Sequence, residues 1–256
     1  MKELDYHIGN DRLYGRLHIP GCFDGKGDFS GLAKRPAVIF CHGFGANLDS
    51  VDDYCSAISD SGYYSYDFDF RGGSASSRSD GSTLDMSVLT EKEDLETVLC
   101  GLSQEDFIDD ERLFIAGESQ GGLVAALAGA EHPELAAGLI LACPAFVIPD
   151  DAKKRYPDRS RIPEQTDWGF ITVGKRYYED TYDLDPYEVI GNFSKDVIMI
   201  HGSRDRTVPI SYSEKALKTY PHSELKIIKG SGHGFKGEAR KKTVDWILAF
   251  LKDHCK

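Results

Sequence analysis

A serine set among glycines, Gly117-Glu118-Ser119-Gln120-Gly121-Gly122, is the stretch of this chain richest in chemical meaning. The apolar run Leu113–Ala116 directly precedes it and a helix of small residues directly follows. In that setting G-x-S-x-G is a nucleophile elbow, a tight strand-to-helix turn that lifts the hydroxyl above the sheet edge. Bulk beside the serine would block such a turn, and glycine avoids it. The next helix aims its partially positive N-terminus at the reaction centre.

An unassisted hydroxyl is a poor nucleophile, so a base must follow, and an elbow fold supplies its partners in the order Ser, Asp or Glu, His. Five histidines lie beyond Ser119: His132, His201, His222, His233 and His254. Only His233 sits in a glycine-flanked loop, Gly230-Ser231-Gly232-His233-Gly234-Phe235, just after a late strand. His132 falls at a helix end, His222 in a solvent-facing turn and His254 near the C-terminus, while His201 ends a strand and faces structure. The loop after the preceding strand, His201 to Pro209, offers one carboxylate, Asp205. Its expected role is to hold the His233 tautomer and stabilise the imidazolium.

Attack on a carbonyl creates an oxyanion that needs preorganised N–H donors. The backbone amide of Gln120, next to the nucleophile, is the expected first donor. The loop His42-Gly43-Phe44-Gly45-Ala46-Asn47, which follows the strand Ala37–Phe40, supplies the second through Phe44. Metal and nucleotide chemistry find no support: there is no H-x-x-x-H, and Gly43-Phe44-Gly45 is not a G-x-G-x-x-G fingerprint. Asp67 and Asp69, on a strand, read as structural. No cofactor and no metal are expected.

These residues need a scaffold to bring them together. Near-continuous apolar runs at Ala37–Phe40, Leu113–Ala116, Gly138–Ala142, Val197–Ile200 and Leu225–Ile228, with an alternating run at Tyr64–Phe70, indicate a parallel sheet covered on both faces. Helical patterns fall between them, near Asp49–Ser59, Val88–Leu102, Gly121–Ala130, Tyr212–Thr219 and Ala239–Leu251. In the last, Val244, Ile247, Leu248 and Leu251 form a docking stripe. The alternation gives a doubly wound α/β architecture. Ahead of it, Tyr6 to Pro20 reads as a hairpin about Gly9-Asn10-Asp11, and a polar stretch, Gly21 to Lys34, leads into the body. The span Pro144–Ser194 breaks the rhythm: about fifty residues rich in Asp, Tyr, Arg and Pro carry no buried-strand run. A loop that long is functional or has structure of its own. Its aromatics, Trp168, Phe170, Tyr177, Tyr178 and Tyr182, are expensive to leave in water. The expectation is an insertion across the C-terminal edge of the sheet, capping Ser119.

At 256 residues the chain buries enough core to fold without disulfides or metals. A net charge of −12 disfavours nucleic acid and anionic membranes as partners. Six scattered cysteines, Cys22, Cys41, Cys55, Cys100, Cys143 and Cys255, lack the C-x-x-C spacing of zinc or redox sites. Cys41, Cys100 and Cys143 read as small buried hydrophobes. With no apolar leader at Met1-Lys2-Glu3-Leu4-Asp5, free thiols point to the cytoplasm.

Taken together the motifs resemble the α/β-hydrolase superfamily over nearly the whole chain, and more narrowly the bacterial cinnamoyl (feruloyl) esterases. The matching stretches are Gly15-Arg16-Leu17-His18-Ile19-Pro20, His42 to Asn47, Phe68-Asp69-Phe70, the Ser-Gln-Gly elbow, Leu184-Asp185-Pro186-Tyr187-Glu188, and His201-Gly202 with Asp205. The resemblance implies one α/β-hydrolase domain over 1–256, with a mostly parallel eight-stranded sheet, helices on both faces and a cap at 145–193. It implies ester hydrolysis through an acyl-enzyme, on hydroxycinnamate esters. Short-chain acyl esters, or a small peptidase or amidase on the same fold, are the alternatives; a non-catalytic binding protein is disfavoured because Ser119, Asp205 and His233 are all kept. By position, Asp151 and Tyr177 resemble the cap residues that contact a phenol hydroxyl, with Trp168 in the aromatic wall. Two features depart from the pattern: Arg71-Gly72-Gly73-Ser74 is a shorter turn, and the cap carries Lys153, Lys154, Arg155, Arg159 and Arg161. The expected partner is a small-molecule ester, and a homodimer stays open.

Overall fold

Strand-forming runs separated by helices dictate a wound sheet, and the computed structural model, which describes residues 1–21, 29 and 31–255, has one. Its eight strands are β1 (Lys2–Glu3), β2 (Gly15–His18), β3 (Arg35–Cys41), β4 (Tyr64–Phe68), β5 (Ile108–Glu118), β6 (Gly138–Ala142), β7 (Val197–Gly202) and β8 (Ser223–Ile228). They lie in the order β1-β2-β4-β3-β5-β6-β7-β8. From β4 to β8 every pairing is parallel, while β1–β2 and β2–β4 are antiparallel.

Successive side chains of a strand face opposite ways, and here both faces are apolar. Ala37, Ile39, Leu113, Ile115, Leu139 and Leu141 pack with Leu95 and Leu99 of α2 (Val88–Ser103) and Leu123 of α3 (Gln120–Glu131), α1 being Asp52–Asp60. Val38, Phe40, Phe114, Ala116, Ile140 and Ile200 pack with Tyr54 and Ile58 of α1 and with Ile247, Phe250 and Leu251 of the C-terminal helix (Glu238–His254). Each buried side chain of this size contributes about 1.5–3 kcal/mol, so the sheet is held firmly between its helices. The sheet ends at β8, where Glu224 and Lys226 form an ion pair on the outermost strand.

Several expectations need correction. Only Tyr6–Ile8 and Asp11–Leu13 form the N-terminal hairpin; Gly15–His18 leaves it and joins the main sheet against β4. The two polar residues of β1 carry no apolar signal, so pairing with β2 alone defines that strand. The alternating run stops at Phe68, not Phe70. It is buried throughout because its polar residues have partners: Ser65 Oγ donates to the Cys55 carbonyl at 2.7 Å, and Asp67 accepts from Arg16. Cys100 is half-buried, while Cys41, Cys55 and Cys143 are buried; all five described cysteines are free, and Cys22 lies outside the described residues. So does most of the Gly21–Lys34 connector.

The span between β6 and β7 folds into short pieces: helices α4 (Ile148–Arg155), α5 (Arg176–Tyr182) and α6 (Pro186–Val189), and a hairpin of Gln165–Asp167 with Thr172–Gly174. Thereafter come α7 (Ser211–Thr219) and α8 (Glu238–His254). In α8 the expected stripe forms, with Ile247 and Leu251 buried and Val244 and Leu248 partly so. Among the described residues no helix is long and apolar enough to cross a membrane.

Candidate active site

The β5 strand runs straight into α3 through one residue, Ser119, whose φ of 57° and ψ of −119° lie where L-residues rarely sit. A backbone conformation of that kind costs of order 1–3 kcal/mol and persists only when its surroundings hold it. Here they do: the Ser119 N–H donates to Ala142 O at 2.9 Å, and the Ser119 carbonyl accepts from Ala145, Gly122 and Leu123 amides. Two glycines make the turn fit. A Cβ on Gly117 would lie 2.2 Å from the Gly121 carbonyl oxygen, and one on Gly121 2.3 Å from that of His42. Gly121→Ala is accordingly expected to cost roughly 1–3 kcal/mol by overpacking, seen as a lowered midpoint in thermal or denaturant unfolding. An unchanged midpoint would contradict the close approach of α3 to the His42 loop.

Three loops at the C-terminal ends of β5, β7 and β8 bring the sequence-distant residues together. His233 Nε2 lies 2.9 Å from Ser119 Oγ, and His233 Nδ1 lies 2.7 Å from Asp205 Oδ2. A carboxylate only accepts, so Nδ1 carries the proton and Nε2 is free to accept from the serine hydroxyl. Asp205 Oδ1 accepts from the amides of Thr207, at 2.9 Å, and Val208, at 2.8 Å. Burial alone would raise the Asp205 carboxyl, but hydrogen bonds from His201, His233 and the Val208 amide outweigh it. The group is held far below the usual carboxylate range and stays ionised.

His201 faces structure, yet it also lies against the Asp205 carboxylate. Its Nε2 meets the Val208 carbonyl at 2.9 Å, which can only accept, so Nε2 carries the proton; it also lies 3.3 Å from Asp205 Oδ2. Nδ1 is then left to accept from Ser213 Oγ at 2.8 Å. The His201 imidazole thus braces the carboxylate from behind.

The loop after β3 passes close over Ser119: a Cβ on Gly43 would be 3.4 Å from Ser119 Cβ. Buried His42 fixes this loop, with Nδ1 donating to Gly43 O at 2.9 Å and Nε2 accepting from the Phe70 amide at 3.3 Å. Burial lowers the pKa of His42, consistent with that neutral arrangement. Gln120 is the first residue of α3, so its N–H has no intrahelical acceptor. Phe44 lines the cleft together with Ser119, whereas the Gln120 side chain is buried.

A cleft of about 880 Å³ opens above Ser119 and His233 and is lined by Phe44, Trp168, Phe170, Glu118 and Arg240 among others. Trp168 also lines an adjoining pocket of about 430 Å³ that holds Asp151, Tyr177 and Tyr178. Phe44 joins the two: its ring centroid lies 5.5 Å from Trp168 and 5.1 Å from Tyr177. The cap residues expected at the site are therefore clustered, with Trp168 and Phe170 in the cleft with Ser119 and Asp151 and Tyr177 one pocket away. Burial raises the Asp151 carboxyl against the pull of Lys154.

Some participants were illegible in the sequence. Glu118, inside the elbow motif, is bound by Arg240 at 2.6 Å, and Arg240 in turn sits 3.4 Å over the Tyr54 ring and pairs with Asp53. The motif shows a charged residue in a buried turn, which demands a counterion, but its spacing gives no hint of Arg240. Fully buried Glu91 accepts from the Gln120 side chain at 2.8 Å, and no motif marks it.

Among the described residues two trios have ligand atoms close enough to share a metal, His18 with Cys55 and Asp67, and Cys143 with Asp205 and His233. In both the carboxylate is already engaged, Asp67 by Arg16 and His18, and Asp205 by His233 and two backbone amides.

Comparison with known proteins agrees with this architecture. The family model for serine aminopeptidase, S33, matches residues 33–176, more than half of the chain. A non-heme chloroperoxidase, CPO-A1 of Kitasatospora aureofaciens, is 27% identical, covering 85% of this chain and 92% of its own. Among solved structures, Est1E from Butyrivibrio proteoclasticus with bound ferulic acid superposes with a TM-score of 0.86 at 23% identity, over 98% of each chain. A monoacylglycerol lipase from Paleococcus ferrophilus gives 0.71 at 15% identity, over 94% of this chain and 99% of that one. At such identities the structural likeness is one of fold. The matched family, the eight-stranded mostly parallel sheet and the helices on both its faces lead to one assignment: the chain belongs to the serine aminopeptidase S33 family of α/β hydrolases.

Proposed function

We propose that the protein is a serine carboxylesterase acting on small-molecule esters, with hydroxycinnamate esters as the preferred class. The observation that carries the reading is the continuous relay from Ser119 Oγ through His233 to Asp205, at 2.9 and 2.7 Å. Ser119 Oγ attacks the ester carbonyl carbon while its proton passes to His233 Nε2. The Gln120 and Phe44 amides stabilise the oxyanion. The carbon–oxygen bond to the alcohol breaks as His233 returns the proton to the leaving oxygen. Water then attacks the acyl-enzyme, giving its proton to His233, and the acid departs as Ser119 regains a proton.

Residues 145–193 serve as a cap on a single α/β-hydrolase domain and form the acyl pocket. Its aromatic walls, Trp168, Tyr177 and Tyr178, with Asp151 at one side, suit a planar phenolic acyl group. Free thiols fit a cytoplasmic setting.

Amide hydrolysis, suggested by the family's name, has less support. An aminopeptidase needs a carboxylate free to bind the substrate ammonium. Among the described residues, the four carboxylates that line the cleft each have an arginine within ion-pair distance: Asp49 with Arg16 and Arg78, Asp52 with Arg16, and Asp53 and Glu118 with Arg240.

Turnover of methyl ferulate, chlorogenate, p-nitrophenyl esters of increasing chain length and aminoacyl p-nitroanilides tests the reading. Faster release of nitroaniline than of any ester alcohol would replace it with the amidase. Within the ester class, a phenol hydroxyl gripped by Asp151 and Tyr177 is worth roughly 1–3 kcal/mol, because its absence leaves buried polar groups unpaired. Asp151→Ala is thus expected to narrow the preference for ferulate over cinnamate esters more than it slows acetate esters. Equal losses in kcat/KM on all three substrates would make the cap residues plain structure.

A further inference from the structure

Glu91 stands in the first turn of α2, fully buried, with Oε2 accepting from Gln120 Nε2 at 2.8 Å and Oε1 buried without a hydrogen-bond partner. On its other side the same amide accepts, through Oε1, the Tyr177 hydroxyl at 2.8 Å. Glu91 to Gln120 to Tyr177 is therefore one chain of hydrogen bonds from the core helix, through the residue next to the nucleophile, to the cap. Two further bonds tie the same stretch to the cap: Thr83 Oγ1 donates to Thr172 O and Ser87 Oγ to Asp180, both at 2.6 Å.

A buried carboxyl with no cation beside it is costly, and an apolar side chain would pack there more cheaply. Its retention needs a task that only a hydrogen-bond acceptor performs. Gln120 can present its amide either way round. An acceptor at Glu91 forces the NH₂ toward α2 and leaves the carbonyl for Tyr177. With both ends of the side chain bound, rotation at residue 120 is restricted, and its backbone N–H is held in one direction.

We propose that Glu91 is a positioning residue for the oxyanion hole: by clamping the Gln120 side chain between α2 and Tyr177, it fixes the Gln120 backbone amide over the reacting group. This rests on the reading of that amide as an oxyanion donor. The clamp also makes the cap a part of the catalytic geometry, since Tyr177 supplies its outer jaw. Burial pushes the Glu91 carboxyl well above the usual range, and a glutamine at the same place provides an equivalent acceptor.

The test uses the full chain and measures the rate at which an alkyl fluorophosphonate labels Ser119, because its phosphoryl oxygen needs the same amides, together with kcat and KM on p-nitrophenyl acetate and the unfolding midpoint. Glu91→Leu is expected to slow labelling and kcat about 10- to 30-fold with KM nearly unchanged, a fraction of the roughly 10²–10³ lost when an oxyanion donor is removed. Glu91→Gln should restore both rates to within about threefold of wild type. Gln120→Met, which keeps the backbone amide, should match Glu91→Leu, and the double variant should be no slower than either, as members of one unit behave. Should Glu91→Leu fail to fold, Gln120→Met decides alone. Labelling at the wild-type rate in Gln120→Met, equal damage from Glu91→Gln and Glu91→Leu, or losses that multiply in the double variant would each overturn the clamp. Ser119 labelling without turnover of any ester would overturn the esterase reading and leave the clamp measurable.

Discussion

Ser119→Ala is expected to lower kcat by about 10⁴ to 10⁶ while the protein stays folded, because loss of one member of a nucleophile–base–acid unit costs nearly as much as loss of all three. The geometry makes the substitution mild for the fold. Ser119 Oγ has one protein partner, His233 Nε2, and the bonds that hold the strained turn come from the Ser119 backbone, which alanine keeps. The positive φ remains a cost in both, so the unfolding midpoint should move little. The decisive measurement is steady-state hydrolysis of p-nitrophenyl acetate by variant and wild type purified alike. A variant that kept a tenth of the activity would remove Ser119 from the nucleophile's place.

Asp205→Asn is expected to cost around 10⁴ in kcat through the wrong histidine tautomer. The surroundings say which way the new amide would face. Oδ1 is held by two N–H donors, Thr207 and Val208, so the NH₂ cannot sit there. It must take the place of Oδ2, facing His233 Nδ1 and His201. A donor at that point obliges Nδ1 to accept, which moves the proton to Nε2 and leaves no lone pair for the Ser119 hydroxyl. A second readout follows from the depressed acidity of Asp205. A carboxyl held lower in the folded than in the unfolded state stabilises at pH above its unfolded value, about 3.9, and loses that contribution as pH falls through its folded value. The stability gap between wild type and Asp205→Asn should therefore be full near neutrality and shrink in acid. A mild kinetic loss here, set against a severe one at Asp150, whose carboxylate accepts from Tyr212, would transfer the role of the acid.

What the sequence reveals depends on whether the physics is local. An apolar run ending in Gly-x-Ser-x-Gly announces strand, turn and helix within a dozen residues, so the elbow and the loops bearing Asp205 and His233 were legible. The hairpin about Gly9-Asn10 was legible for the same reason, but the departure of Gly15–His18 into the main sheet was not. That choice is made by β4, about fifty residues away. Lys2–Glu3 is a strand only because β2 offers an edge. The cap hides its elements because they are three- to eight-residue pieces stabilised by cross-contacts, such as Trp168 Nε1 donating to Tyr178 Oη at 3.1 Å. Glu91 and Arg240 escaped because each serves the site through a partner on another element. A charged residue type alone tells neither that the side chain is buried nor which partner it meets; only the fold shows both.

The last strand has a consequence for the chain in crowded solution. An outermost strand exposes a row of unpaired backbone donors and acceptors, on which a strand of another molecule could grow. Ile227, with 46% of its surface open, adds a greasy foothold on β8. The adjoining Glu224 and Lys226 satisfy one another where they are, and any incoming strand would have to bury both charges. Resistance to edge-to-edge aggregation on this side of the sheet thus falls to two alternate residues of a six-residue strand, far from Ser119 and its chemistry.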